Sequence, residues 1–112
     1  KKGVIAKKSF GSYFIDQVFP LGGGKIAIAS HDHEYLHIYD WKRDVLLATG
    51  DTSAAKIVGT LRNKLLFYDE ELSIFTSVDL SEVYRKEMSM EKDDEPIELE
   101  MEDWSEAIFL SQ

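Results

Sequence analysis

A spaced repetition of short β-strand patterns constrains this 112-residue chain more than any other feature. Three turns that each precede an apolar strand contain Phe19, Thr60 and Trp104, which lie about 41 and 44 positions apart. Periods in the low forties, with several short strands in each period, are typical of β-propeller blades. Each blade is a four-stranded sheet with two apolar faces, so it needs a neighbouring sheet on each side. The repetition therefore predicts stacked antiparallel sheets.

The strand assignments rest on alternating apolar residues between turn signals. Residues 22–50 predict three strands, Lys25–Ser30, Glu34–Tyr39 and Asp44–Thr49, joined by polar turns. Leu80–Met88 stays open between a strand and a helical turn capped by Ser81. The remaining predicted strands are Gly3–Ala6, Tyr13–Phe19, Lys56–Thr60, Lys64–Tyr68, Leu72–Thr76, Ile97–Glu102 and Ala107–Ser111. In this assignment, Leu72 and Ile74 correspond to Leu36 and Ile38 of the first repeat.

The repeat divides the chain into blade-like units of about 13–53 and 54–92 and a partial unit of 93–112. The predicted fold class is all-β, with antiparallel four-stranded blades in an incomplete ring. About two and a half blades cannot close a ring, since at least four are normally needed. Open blades also expose apolar faces and strand edges. The chain is therefore expected to be a segment of a larger propeller or to complete one with another chain.

Composition and charge exclude several functional classes. The absence of cysteine removes disulfides and thiolate chemistry, and it favours a reducing intracellular compartment, cytoplasmic or nuclear. No apolar run is long enough to span a membrane. The net charge is −8, and residues 87–112 hold ten acidic side chains against one lysine. This acidic part would repel a phosphate backbone, so direct nucleic-acid binding is not expected.

The stretch IAIASHDHEYLHIYDW resembles the second and third strands of a WD-repeat blade. The matching positions are Ser30, Asp32, Leu36, Ile38, Tyr39 and Asp40. The segments VFP and DWS are similar to the first-strand endings of such blades, and Tyr39 and Phe75 stand where the family usually has tryptophan. The resemblance implies a non-catalytic scaffold that contacts other protein subunits of a larger assembly through loops at the blade ends.

The candidate contact residues lie in two turns of the central stretch. They are Asp32, His33, Glu34, Trp41, Lys42 and Arg43, and exposed aromatic and basic side chains are enriched at protein interfaces. His31 to Glu34 with His37 also offer imidazole and carboxylate ligands of the zinc type, but a polar turn explains the same residues. We therefore predict no metal, no cofactor and no catalytic residue. Ser30, His31 and Asp32 in particular are adjacent on a strand and cannot form a catalytic relay.

A second interpretation treats the chain as one complete domain similar to a pleckstrin-homology barrel of about seven strands. In that interpretation residues 102–110 form the closing helix, with Trp104 pointing inward. The function would be binding of a peptide or a lipid headgroup. The hairpin loop at Gly22–Lys25 carries a single positive charge, which disfavours a lipid headgroup.

Overall fold

The computed structural model describes residues 17–30, 35–52 and 55–103, and it shows an all-β fold made of two sheets. One short helix and a 3-10 turn at Glu87–Ser89 interrupt the strands. The elements are β1 (Gln17–Gly22), β2 (Lys25–Ser30), β3 (Tyr35–Asp40), β4 (Val45–Asp51), β5 (Lys56–Leu61), β6 (Lys64–Asp69), β7 (Ile74–Asp79), α1 (Ser81–Lys86), β8 (Ile97–Leu99) and β9 (Glu102–Asp103).

Both sheets are built on consecutive antiparallel hairpins. The first sheet has the order β1-β2-β3-β4-β8, in which β8 pairs with β4 in parallel. The second has the order β5-β6-β7-β9, in which every pair is antiparallel. Each sheet therefore begins with a three-strand meander. The first sheet then adds β4 and the parallel strand β8, whereas the second adds only β9.

The two meanders repeat with a period of 39 residues. Strands β1 and β5 begin at Gln17 and Lys56, strands β2 and β6 at Lys25 and Lys64, and strands β3 and β7 at Tyr35 and Ile74. All six strands contain six residues. This period corrects the alignment expected from the turns, because Thr60 corresponds to Leu21 and not to Phe19. Trp104 lies outside the described residues.

The sheets pack through faces that are not equivalent in the repeat. The inner face of the first sheet carries Ala27, Ala29, Leu36 and Ile38. It packs in one buried cluster with the inner face of the second sheet, which carries Ile57, Leu65, Phe67 and Val78. By the 39-residue period, Leu65 and Phe67 correspond to Ile26 and Ile28, which lie on the opposite, outer face of the first sheet. The first sheet therefore contacts the second through one face, and the second contacts the first through the opposite face of the repeat. We call this arrangement head to tail, in contrast to a two-fold sandwich in which both sheets use the same face.

The main chains of the two sheets approach each other most closely at their first strands, β1 and β5. Gln17 bridges them, because its side-chain amide donates to the carbonyl of Ile57 at 3.1 Å and accepts from the amide of Ile57 at 2.8 Å. These two bonds reproduce the main-chain pairing of neighbouring strands through a side chain. The two sheets are therefore joined most closely along the side of the stack that contains their first strands.

Between β7 and β9, residues 80–101 form an insertion that the first meander does not have. Leu80 and Val83 are buried in the core between the sheets, so Leu80–Met88 resolves as helix and 3-10 turn. The carboxylate of Asp79 accepts from the amide of Ser81 at 2.8 Å, whereas the residue before the helix makes no side-chain cap. Hydrogen bonding by the side chain of Ser81 and, second to it, by its amide lowers the pKa of Asp79. The insertion then crosses to β4 and returns to β7 as β9.

Several expectations about the second half of the chain require correction. The third strand of the second sheet is shifted toward Asp79, which leaves Leu72 in a turn and Ile74 exposed, whereas Leu36 and Ile38 are buried. The strand predicted at Ile97–Glu102 is divided between the two sheets as β8 and β9. The described residues form no closed barrel, and Glu102–Asp103 is a strand where the barrel interpretation needs a helix. The predicted strands at residues 3–6 and 107–111 lie outside the described residues.

Gly50 permits the close approach of β8 to β4. A Cβ atom at Gly50 would lie 3.1 Å from the carbonyl oxygen and 3.3 Å from the Cβ of Leu99. We predict that Gly50→Val displaces β8, so the amides of residues 97–99 exchange at least about tenfold faster while β1–β3 keep their protection. Hydrogen exchange by mass spectrometry measures this effect. Thr49→Val is the matched control, and equal loosening by both variants would contradict the prediction.

Candidate protein-interaction site

Two turns with the same hydrogen-bond geometry contain the aromatic, charged and apolar residues of the candidate site. Each follows a strand that ends in aspartate. Asp40 Oδ1 accepts from the amides of Lys42 and Arg43 at 3.1 Å. Asp69 Oδ1 accepts from the corresponding amides of the second turn at 2.9 and 3.0 Å. Each turn closes on a left-handed residue four positions after the aspartate, with φ of 59° in the first and 56° in the second.

The first turn, residues 41–44, contacts the insertion. Arg43 donates through Nε to Asp40 Oδ2 at 2.9 Å and through one terminal nitrogen to the carbonyl of Met90 at 3.0 Å. Its other terminal nitrogen donates to the carbonyl of Glu87. The guanidinium therefore joins a strand carboxylate to the main chain that follows α1. This is a use of the planar Arg fork that lysine cannot reproduce.

Two further ion pairs fasten the insertion beside the first turn. Lys25 Nζ lies 2.8 Å from Glu87 Oε2, with both side chains largely buried, and 5.5 Å from the centre of the Tyr84 ring. Lys92 pairs with Asp44, and this contact raises the pKa of Lys92. Asp44 also accepts from the hydroxyl of Tyr39. Burial and that hydrogen bond raise the pKa of Tyr39 above its ordinary value.

Trp41 and Lys42 cover the neighbouring surface of the first sheet. Trp41 is half-buried against the outer-face cluster of Ile26, Ile28, Tyr35 and Tyr39. Lys42 is exposed, and its ammonium lies 5.8 Å from the centre of the Trp41 ring. Of the three residues predicted here as partner contacts, Arg43 is committed to its own chain, and Lys42 remains available to solvent.

The second turn, residues 70–73, presents apolar side chains to solvent. Leu72 is 66% exposed and Ile74 is 45% exposed. Phe75 is 42% exposed, and its ring centre lies 4.6 Å from that of Tyr68 on the neighbouring strand. Sequence reasoning missed this surface because the alternation of Leu72 and Ile74 indicated a half-buried strand. The aspartate that ends β6, repeated from the end of β3, was the available signal that a four-residue turn follows.

The other predicted contact residues cannot be compared with the first turn directly. Asp32, His33 and Glu34 lie outside the described residues, as does His31. The strand ends that flank them, Ser30 and Tyr35, lie at the opposite end of the first sheet from Asp40. The two predicted groups therefore do not share one turn, whereas by the 39-residue period residues 31–34 correspond to the exposed second turn.

The described residues contain no group of three or more histidine, cysteine, aspartate or glutamate side chains placed to hold a metal ion. His37 lies on β3 with its ring centre 4.7 Å from that of Tyr35. Burial lowers the pKa of His37, which favours the neutral imidazole. Neither helical segment of the described chain has the length and apolar character that crossing a bilayer requires.

No family model, curated protein or solved structure matches this chain. Its function must therefore be argued from its own surfaces.

Arg43→Lys is predicted to release the insertion. Lysine keeps the charge but cannot donate to Asp40 and to two carbonyls together. We expect trypsin to cleave after Lys86 and Lys92 about tenfold faster in this variant, because local opening of the insertion exposes both sites. Lys42→Arg is the matched control, since Lys42 makes no described contact with the insertion. Unchanged cleavage of Arg43→Lys would contradict the anchoring role.

Asp40→Asn is predicted to destabilise the chain in a pH-dependent way. Burial raises the pKa of Asp40, but the hydrogen bonds and charge of Arg43 outweigh it and leave the pKa below the ordinary 3.8. The charged form therefore stabilises the fold fully above that value, and this contribution disappears as the pH falls through the folded pKa. We expect a deficit of about 1–3 kcal/mol at neutral pH, which begins to close only when the pH falls below the ordinary 3.8 of the carboxyl.

Urea unfolding at several pH values measures the free energy of unfolding for this test. Glu95→Gln, which removes an exposed carboxylate of the loop before β8, is the control and should match the parent protein at every pH. A deficit for Asp40→Asn that persists in acid would show that the charge of Asp40 is not the cause.

Proposed function

We propose that this chain is a non-catalytic protein-interaction scaffold and a segment of a larger WD-like stack of sheets. The single observation that carries the proposal is the head-to-tail packing of the two sheets. A matching-face sandwich is complete with two sheets, whereas head-to-tail packing can be repeated by each added sheet until a ring closes. The close approach of β1 and β5 also supports an arrangement of sheets around a common axis, because the sheets can then diverge from each other with distance from their first strands.

The outer face of the second sheet is where a further sheet would pack. Its residues Leu66, Tyr68, Phe75 and Ser77 share one face by strand register. By the 39-residue period they correspond to Ala27, Ala29, Leu36 and Ile38, the inner face of the first sheet that the second sheet covers. On the outer face Leu66 and Ser77 are buried, whereas Tyr68 is half-buried and Phe75 is 42% exposed. An apolar face in this state favours a protein partner.

Charge supports the choice of a protein partner over nucleic acid. The net charge is −8, and residues 91–100 of the insertion carry acidic side chains at positions 91, 93, 94, 95, 98 and 100, against Lys92. A polyanion would be repelled along that segment. Other subunits, or further sheets of the same assembly, are the partners that fit both the charge and the exposed face.

Phe75→Lys tests the proposal through solution behaviour. The purified chain is expected to associate reversibly as its concentration rises, because Phe75 on the outer face of the second sheet is 42% exposed. Phe75→Lys should weaken that association at least about tenfold, since burial of one phenylalanine stabilises a contact by roughly 1.5–3 kcal/mol. Light scattering coupled to size-exclusion chromatography measures the average mass across about a hundredfold range of concentration.

Met88→Lys is the matched control. Met88 is 80% exposed and lies in the 3-10 turn of the insertion, away from the sheet face. It should leave the association unchanged. A parent chain that stays monomeric over the whole range, or an equal effect of both lysine variants, would overturn the proposal.

A further inference from the structure

We propose that the second turn docks a partner segment that carries a large apolar residue flanked by lysine or arginine. The β6–β7 tip is defined here as residues 69–74. The inference rests on the scaffold role proposed above and names one contact surface of that scaffold with the chemistry of its partner. It concerns Leu72 and Ile74, not the sheet face that contains Phe75.

The apolar side chains of the tip are concentrated and exposed. Single surface leucines are ordinary in soluble proteins, but contiguous apolar groups on a turn indicate an interaction site. Leu72 is 66% exposed and Ile74, two residues later, is 45% exposed. Phe75 is the next residue of β7, but it lies on the opposite face of the sheet and is not part of this contact. The tip therefore offers a compact apolar contact.

The backbone of the tip is held before any partner arrives. Asp69 is 7% exposed, and its carboxylate accepts from the amides of Glu71 at 2.9 Å and Leu72 at 3.0 Å. Ser73 closes the turn in the left-handed region with φ of 56°. Because the turn is fixed from both ends, Leu72 is presented with little backbone freedom left to lose. A rigid loop costs less to immobilise on binding.

The first turn, which shares this hydrogen-bond geometry although the 39-residue period does not relate it to the second turn, shows what the geometry can hold. In the first turn Arg43, three positions after Asp40, anchors the segment after α1 through the carbonyls of Met90 and Glu87. Leu72 is three positions after Asp69 and so occupies the same place. The change from arginine to leucine replaces a donor of hydrogen bonds with an apolar contact. The second turn is therefore suited to a segment that presents an apolar side chain rather than main-chain carbonyls.

The charges around the tip select a basic partner. Glu70 and Glu71 are exposed within the turn. On the neighbouring strand, Glu102 and Asp103 are exposed where they pair with residues 77 and 76 of β7. Lys56, which pairs with Tyr68, is the opposing charge on the other side of β6. An apolar centre with a mainly acidic rim is complementary to an apolar residue with basic flanks.

A library of random peptides displayed on phage is the probe, selected against the parent chain. We expect the enriched peptides to contain a large apolar residue and a net positive charge. A synthetic peptide of that consensus should bind the double variant Leu72→Ser, Ile74→Thr at least about tenfold more weakly, because two apolar contacts are lost. Its affinity should also fall as salt is raised.

Met88→Ser is the control, because it removes an equally apolar and more exposed side chain from the insertion. It should bind the consensus peptide as the parent chain does. Hydrogen exchange of the variants checks that β6 and β7 remain paired. Failure to enrich any peptide, a consensus without net positive charge, or binding that survives loss of Leu72 and Ile74 would each overturn the inference.

The outcome separates this inference from the scaffold proposal. If Phe75→Lys abolishes self-association and no peptide depends on the tip, the stacking proposal is supported and the docking role of the tip is wrong. If tip-dependent peptides are found and the parent chain is monomeric at all concentrations, the stacking proposal falls and the tip remains a binding surface.

Discussion

The fold depends on the need of each sheet to bury two apolar faces. Alternation along β2 and β3 places aliphatic or aromatic side chains on both sides of the first sheet, and both sides are buried. The inner side uses small residues, Ala27 and Ala29, opposite the large Phe67 and Leu65 of the second sheet. Small residues let the sheets approach, and large ones fill the space between them. The packing of the two sheets is thus specified by the volumes of the side chains on their inner faces as well as by the hydrophobicity of those side chains.

The insertion, residues 80–101, fills the space between the two sheets where they diverge from each other. Sheets that approach most closely at their first strands leave a wider gap elsewhere, and Leu80, Val83 and Met90 are buried in the shared core. The polar anchors of the insertion, from Arg43, Lys25 and Asp44, all lie at the hairpin ends of the first sheet. Apolar side chains therefore fill the gap, while ion pairs and carbonyl contacts fix the direction of the segment. β8 then covers the outer edge of β4, which an exposed strand would leave open to pairing.

Local patterns predicted the meanders well and their later strands poorly. Lys25–Ser30 and Lys64–Tyr68 were found because period-two alternation is bounded by glycine or Arg62-Asn63 turns, and the all-β class followed from them. The equivalence of the turns was wrong by two residues because it was based on Phe19 and Thr60 instead of on strand starts. Pairing of β8 with β4 in parallel could not be predicted, since it depends on anchors more than forty residues apart in sequence. The pairing of Arg43 with the insertion is equally non-local, so its hydrogen bonds to the carbonyls of Glu87 and Met90 could not be predicted.

The two turns are not related by the 39-residue period, yet they share one backbone geometry and differ in what their side chains contact. The strand-final aspartates fix the backbone through the same pair of amide hydrogen bonds, so the positions that follow are free to vary without loss of the turn. Arginine at the third position holds the insertion, and leucine at the same position faces solvent. The backbone of each turn is thus fixed within the folded chain, and the side chain at its third position decides whether the turn contacts its own chain or solvent.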